Sequence, residues 1–238
     1  MKLFCLAHAG GSANAFLSWK PHLQGQADVV PIEISGHGRR LSGTLHDRFE
    51  DVLADVVGEV TQAGLPDDYA LFGHSFGAIL AYELAHTLVR RGSAPPAHVF
   101  VSGSCSPDRV AELPFELVRD DRELLQSFAY LGATPQEIVA DAEAVALFAP
   151  ILRADLRALA DYQFEPHAKL AADVSIVLGT QDELASSEDA TRWALLFSGR
   201  ATKRSLEGGH FAALEQPRAV ASWIGDLLAH TREQQVAG

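Results

Sequence analysis

Gly73-His74-Ser75-Phe76-Gly77 stands directly after the apolar run 69–72 and before a segment in which Ile79, Leu80, Leu84 and Leu88 recur at helical spacing. A serine at the centre of G-x-S-x-G, between a strand and a helix, is placed to attack an acyl carbon. Reversing direction within so few residues forces the serine into a strained conformation, and Gly73 and Gly77 let the backbone pass without a clash. The turn projects Ser75 Oγ outward and sets the free N–H groups of a helix N-terminus beside it. The competing reading is a serine in a purely structural turn.

A hydroxyl is a poor nucleophile at neutral pH, so it needs a base, and the base needs an orienting acid. Where the serine sits on a strand-turn-helix, the chain order is serine, then acid, then histidine. Only His210 and His230 follow the last expected strand. His210, in Glu207-Gly208-Gly209-His210-Phe211, lies where a loop can fold over the serine, whereas His230 ends the last helical pattern and reads as solvated. For the acid, Asp182 in Gly179-Thr180-Gln181-Asp182 is favoured, with Asp108 and the adjacent Glu183 as alternatives. Attack on a carbonyl also creates an oxyanion that preorganised N–H groups must hold. The expected donors are Phe76, next to the serine, and Ala9 in His8-Ala9-Gly10-Gly11, with Gly10 as the substitute.

These residues need elements that bring them together. Short runs at 2–7, 29–34, 69–72, 98–102 and 174–178, and the segment 202–206, read as strands. They alternate with helical patterns such as Phe49, Val52, Leu53, Val56, Val57 and Val60, and with a last one over about 217–229. Such alternation predicts an α/β fold with a mostly parallel sheet covered on both faces, and ligands outside the carboxyl ends of its strands. The serine motif, the loops of Asp182 and His210 and the turn His8-Ala9-Gly10-Gly11 all fall at such ends. The stretch 108–164 breaks the alternation with three helical segments, near 121–131, 135–148 and 151–162, separated by Gly132, Pro135 and Pro150. This suggests a core of residues 1–107 and 165–238 with a helical lid over 108–164. The polar tail from Thr231 is expected to fray.

Composition excludes several classes. The chain has 238 residues, 47% hydrophobic and 21% charged, and its 19 Lys+Arg against 31 Asp+Glu give a net charge of −12. That charge argues against nucleic-acid binding. No apolar run reaches the roughly eighteen residues of a membrane span. The start, Met1 to Ala7, is too short for a signal core, so the protein is expected in the cytoplasm with free thiols at Cys5 and Cys105. No H-E-x-x-H and no G-x-G-x-x-G appears, so neither a metal nor a dinucleotide cofactor is expected.

Together the segments resemble the stand-alone type II thioesterases of polyketide and nonribosomal peptide biosynthesis, members of the α/β-hydrolase superfamily. The resemblance covers nearly the whole chain. It rests on His8-Ala9-Gly10-Gly11-Ser12-Ala13, Gly36-His37-Gly38-Arg39-Arg40, Gly73-His74-Ser75-Phe76-Gly77-Ala78 and Gly208-Gly209-His210-Phe211. Leu131-Gly132-Ala133-Thr134-Pro135 and Leu152-Arg153-Ala154-Asp155 before Tyr162 narrow it. Two departures stand out: relatives carry a further stretch with a strand before the His-Ala-Gly-Gly turn, and extra acidic residues before the loop Asp.

The resemblance implies Ser75, Asp182 and His210 as a triad that removes stalled or wrong acyl groups from the phosphopantetheine arm of carrier proteins. No cofactor of its own is implied. The partner would be an acyl or peptidyl carrier protein, met transiently by a monomer, and neither nucleic acid nor membrane. Leu125, Phe128, Leu131, Phe148 and Leu152 are the candidate acyl contacts from the lid, although their helical spacing fits internal packing equally well. Arg39-Arg40, or Arg119 and Arg122, could form a basic docking patch. The rival activities are an esterase or acyltransferase with the same triad, and a catalytically silent binding protein on a hydrolase scaffold.

Overall fold

Both faces of the inner strands are buried, which is why they read as nearly continuous apolar runs, whereas the edge strand over 201–206 is polar and partly exposed. In the computed structural model, which describes residues 1–113, 120–132 and 134–237 (side chains to 232), six strands form one sheet. They are β1 (Lys2–Leu6), β2 (Asp28–Pro31), β3 (Tyr69–His74), β4 (His98–Ser102), β5 (Asp173–Gly179) and β6 (Ala201–Leu206). Their order is β2-β1-β3-β4-β5-β6 and every pairing is parallel. All six expected strands are present. The second is shorter than its apolar run because β1 ends at Leu6; Ile32 N–H still donates to the Cys5 carbonyl, and pairing stops there.

Alternation along each strand divides the core in two. Phe4, Leu6, Leu71, Val99 and Ile176 pack on one face, and Leu3, Cys5, Ala70, Phe72 and Phe100 on the other. The second face is covered by the turn Ala13–Trp19 and by α1 (Lys20–Leu23), with two later helices described below. The first face carries α2 (Phe49–Gln62) and α3 (Phe76–Arg90), the latter buried on almost every side.

After β4 the chain leaves the sheet. Between Pro107 and Asp161 the described residues contain no strand; they form α4 (Asp121–Tyr130), α5 (Gln136–Ala140) and α6 (Ala142–Asp161). The expected break at Pro150 is not there, because α6 runs through it. The break falls at Asp141, whose carboxylate takes the N–H groups of Glu143 and Ala144 and so starts a new helix. The proline forgoes one rung of the ladder, and the buried face formed by Val145, Ala149, Leu152, Leu156 and Leu159 outweighs that loss.

The chain then returns through β5, α7 (Ser187–Leu195), β6, α8 (Ala212–Glu215) and α9 (Pro217–Ala237). Helix α7 was not anticipated, although Ser186 and Asp189 form a reciprocal capping box at its start. Helices α8 and α9 complete the second face. The tail does not fray at Thr231: α9 continues to Ala237, and buried Thr231 bonds back to the Leu227 carbonyl. Among the described residues no helix is long and apolar enough to cross a membrane.

Candidate active site

Ser75 has φ 54° and ψ −120°, and among the described residues it is the one non-glycine with positive φ. Its N–H donates to the Ser102 carbonyl at 2.8 Å, so the edge of β4 holds the turn in this strained shape. Gly73 and Gly77 are needed for the reason read from their types. A Cβ on Gly73 would collide with the Gly77 and Ala78 backbone, and one on Gly77 with the Leu6 and Ala7 carbonyls.

The loops after β5 and β6 meet because they are stitched together: Thr180 N–H donates to the Leu206 carbonyl and Gln181 N–H to that of Gly208. This brings Asp182 to His210. Both Asp182 carboxylate oxygens lie 3.1 Å from His210 Nδ1, and the two side chains are 0% and 5% exposed. A carboxylate only accepts, so Nδ1 carries the hydrogen, and in the neutral ring Nε2 is the nitrogen free to take a proton. Leu184 N–H fixes the carboxylate from behind, at 2.9 Å. The alternatives are occupied or turned away. Asp108 pairs with Arg192 at 2.8 Å and accepts from Ser106, while Glu183 is exposed. His230 is exposed and bonds within its own helix.

Two imidazoles flank His210. His74 and His8 stack edge-on around Phe211, with the His74 ring centred 5.1 Å from that of His210. Burial first, then repulsion from His210 and His37, pulls His8 down to about 4. Burial, then His210 and His8, holds His74 well below the usual imidazole range. Both are neutral at pH 7, so neither opposes a positive charge formed on His210.

Among the described residues neither Phe76 N–H nor Ala9 N–H donates to a group of the protein, and both residues line the same cavity as Ser75 and His210. Gly10, the substitute donor, is engaged: its N–H donates to Asp155 Oδ2 at 2.7 Å. The same carboxylate oxygen lies 2.9 Å from His37 Nε2. Asp155 and His37 were present in the sequence only as members of two motifs, with no role assigned. The contact that gives them one spans 145 positions in the chain.

The cavity in front of Ser75 has a volume of about 310 Å³ and is walled by apolar side chains of α3, α4 and α6 together with Cys105, whose thiol burial pushes up to about 12. Phe128 and Leu131 line it. Leu125, Phe148 and Leu152 do not; they line a second cavity of about 260 Å³, which Phe128, His8 and Ala9 also border. The five lid positions therefore divide between two chambers. The arginines of the expected basic patch that are described have partners within the chain, and Arg39 stays largely exposed. Arg40 makes a two-bonded pair with Asp55, Arg39 pairs with Glu59, and Arg122 donates to the Val139 carbonyl. Arg119 lies outside the described residues.

A parallel sheet with a strained serine after the central strand β3 and an Asp–His pair on the ends of β5 and β6 defines an α/β-hydrolase. Within that class, the sequence model of the thioesterase domain family matches residues 1–228, and the chain belongs to this family. It is 31% identical over 236 residues to the thioesterase PikA5 of Streptomyces venezuelae, covering 98% of this chain and 82% of the relative. It superposes on the RedJ thioesterase of the prodiginine pathway in Streptomyces coelicolor with a TM-score of 0.88 at 33% identity, over 95% of this chain and 89% of the other. The type II thioesterase BorB of the borrelidin cluster gives 0.82 at 29% identity, over 95% and 92%.

Proposed function

We propose that this thioester hydrolase edits a polyketide or nonribosomal peptide synthase, removing stalled or wrong acyl groups from the phosphopantetheine arm of its carrier proteins. In this reading Ser75 Oγ attacks the thioester carbonyl and gives its proton to His210 Nε2, while Asp182 stabilises the imidazolium. The N–H groups of Phe76 and Ala9 hold the oxyanion. The C–S bond breaks, the pantetheine sulfur leaves with the proton from His210, and an acyl-Ser75 remains. A water that loses its proton to His210 then releases the free acid and restores the serine.

The observation that carries the reading is a largely apolar chamber with Ser75 and His210 in one wall and two uncommitted backbone N–H groups beside them. Its lining offers few polar groups, which suits acyl chains of varied structure better than one polar substrate. The partner proposed is a carrier protein met transiently by a monomer in the cytoplasm, with no cofactor beyond the arm that the partner carries.

The test is mass spectrometry of several acyl-carrier proteins before and after addition of the enzyme. Loss of the acyl mass is expected, and Ser75→Ala should slow it on the order of 10⁵-fold. Hydrolysis preserved in that variant would overturn the assignment. A kcat/KM for matched oxygen esters equal to that for thioesters would make the protein a general esterase instead.

A further inference from the structure

His37 and Asp155 are both buried, 3% and 1% exposed, and neither takes part in the chemistry described above. His37 Nδ1 lies 3.0 Å from the Ser35 carbonyl, which only accepts, so that nitrogen must carry a hydrogen. Its Nε2 faces the Asp155 carboxylate at 2.9 Å. With an acceptor at each end the ring holds a proton at each nitrogen, and it balances the charge of a carboxylate that would otherwise be buried alone.

The carboxylate is anchored for a purpose that the third contact shows. Its Oδ2 also receives the Gly10 N–H, so one oxygen ties helix α6, the loop after β2 and the loop after β1 together. One turn earlier on α6, Leu152 covers the same glycine. A Cβ on Gly10 would come within 3.2 Å of Leu152 Cδ1, and the φ of +72° there independently favours glycine. Glu33 closes the other side, accepting from Ala13 N–H at 2.8 Å and from Arg39 N–H at 3.2 Å. Gly10 is the residue after Ala9, so the peptide that fixes the Ala9 donor is clamped from the insertion helix.

We infer that Asp155 and His37 are a positioning pair for the oxyanion site: they hold the Gly10 N–H so that the Ala9 N–H points at the developing charge, and they make that alignment depend on α6 being seated. This rests on the serine-hydrolase reading. Neither residue touches the reacting atoms. The charged or titratable groups around His37 are Asp155 from α6, Glu33 on its own loop and neutral His8 from the loop after β1.

The experiment compares Asp155→Asn with the intact enzyme, per active site titrated by a fluorophosphonate. Two further probes are a trifluoromethyl ketone, which adds Ser75 Oγ and places an oxyanion in the site, and an unreactive thioether analogue of the substrate. Asparagine keeps the shape and can still accept from Gly10, but it does not hold the second proton on His37. The expected result is a kcat lower by about tenfold, a KM and thioether affinity changed less than twofold, and ketone inhibition weakened by the same tenfold. Equal weakening of thioether and ketone binding, or an unchanged kcat per site, would overturn the inference. Should Asp155→Asn not fold, His37→Gln takes the same three measurements. The intact enzyme supplies a third arm: kcat and ketone affinity should fall together as the His37 ring, followed by NMR, loses its proton, and independence of the two would equally overturn it. Failure here with Ser75→Ala still inactive leaves the hydrolase reading standing, whereas an active Ser75→Ala removes both.

Discussion

The Asp182–His210 pair joins loops at the ends of two neighbouring strands, and the Asp155–His37 pair joins an insertion helix to the loop after β2. Their separations are 3.1 Å and 2.9 Å, and in each pair both partners are buried. Neither distance nor burial tells them apart. The second ring nitrogen does. His210 spends Nδ1 on the carboxylate and keeps Nε2 uncommitted, whereas His37 spends Nε2 on the carboxylate and Nδ1 on a backbone carbonyl. A ring with a free nitrogen can exchange a proton with a serine, and a ring bonded at both ends can only bear load. The same two residue types therefore give a base in one place and a strut in the other.

The sharpest break of this comparison is Asp182→Asn. It should lower kcat about 10⁴-fold by favouring the wrong tautomer of His210, with the fold retained by circular dichroism. A loss no greater than that of His37→Gln would mean that the two pairs are not functionally distinct. The next effect is on stability rather than rate. Burial disfavours the charged form of His37, yet Asp155, the Ser35 carbonyl and Glu33 raise its pKa above the usual value near 6.5. The ion pair then contributes fully below about pH 6.5 and is lost as the pH rises through the higher folded value. The difference in Tm between intact protein and His37→Gln should be widest in mild acid and close in alkali. A gap that widens with pH would refute the charged strut. The smallest effect belongs to the far end of α6. Tyr162 there donates to buried Glu83 at 2.7 Å. Tyr162→Phe should cost about 1 kcal/mol in denaturant unfolding and leave kcat within about twofold. A tenfold fall in kcat would extend the strut beyond Asp155.

What could be read from the sequence follows from how local each requirement is. Ser75 was legible because its turn imposes glycines within two positions, and His210 because few histidines follow the last strand. Asp182 was favoured over Asp108 and Glu183 without being decided, since the choice depends on hydrogen bonds between two loops about 28 residues apart. The roles of Asp155 and His37 were invisible, because a buried carboxylate and a glycine N–H carry no sequence sign of each other. Arg39 and Arg40 read as a docking patch because their neutralising partners, Asp55 and Glu59, lie on a helix that begins nine residues later. Pro150 reads as a stop because proline breaks the ladder locally, yet a strongly apolar helix face carries α6 past it.

That proline has a mechanical effect on the helix that holds the strut. Pro150 has no amide hydrogen to give to the Ala146 carbonyl, so the hydrogen-bond ladder of α6 is interrupted midway. Asp155 and the Tyr162 tether lie on the later side of the gap, and Phe148 on the earlier. Unwinding that starts at the Asp141 end meets a natural stop there. Deuterium uptake along the helix is set to divide at this position, the front turns trading their amides well before the back turns do.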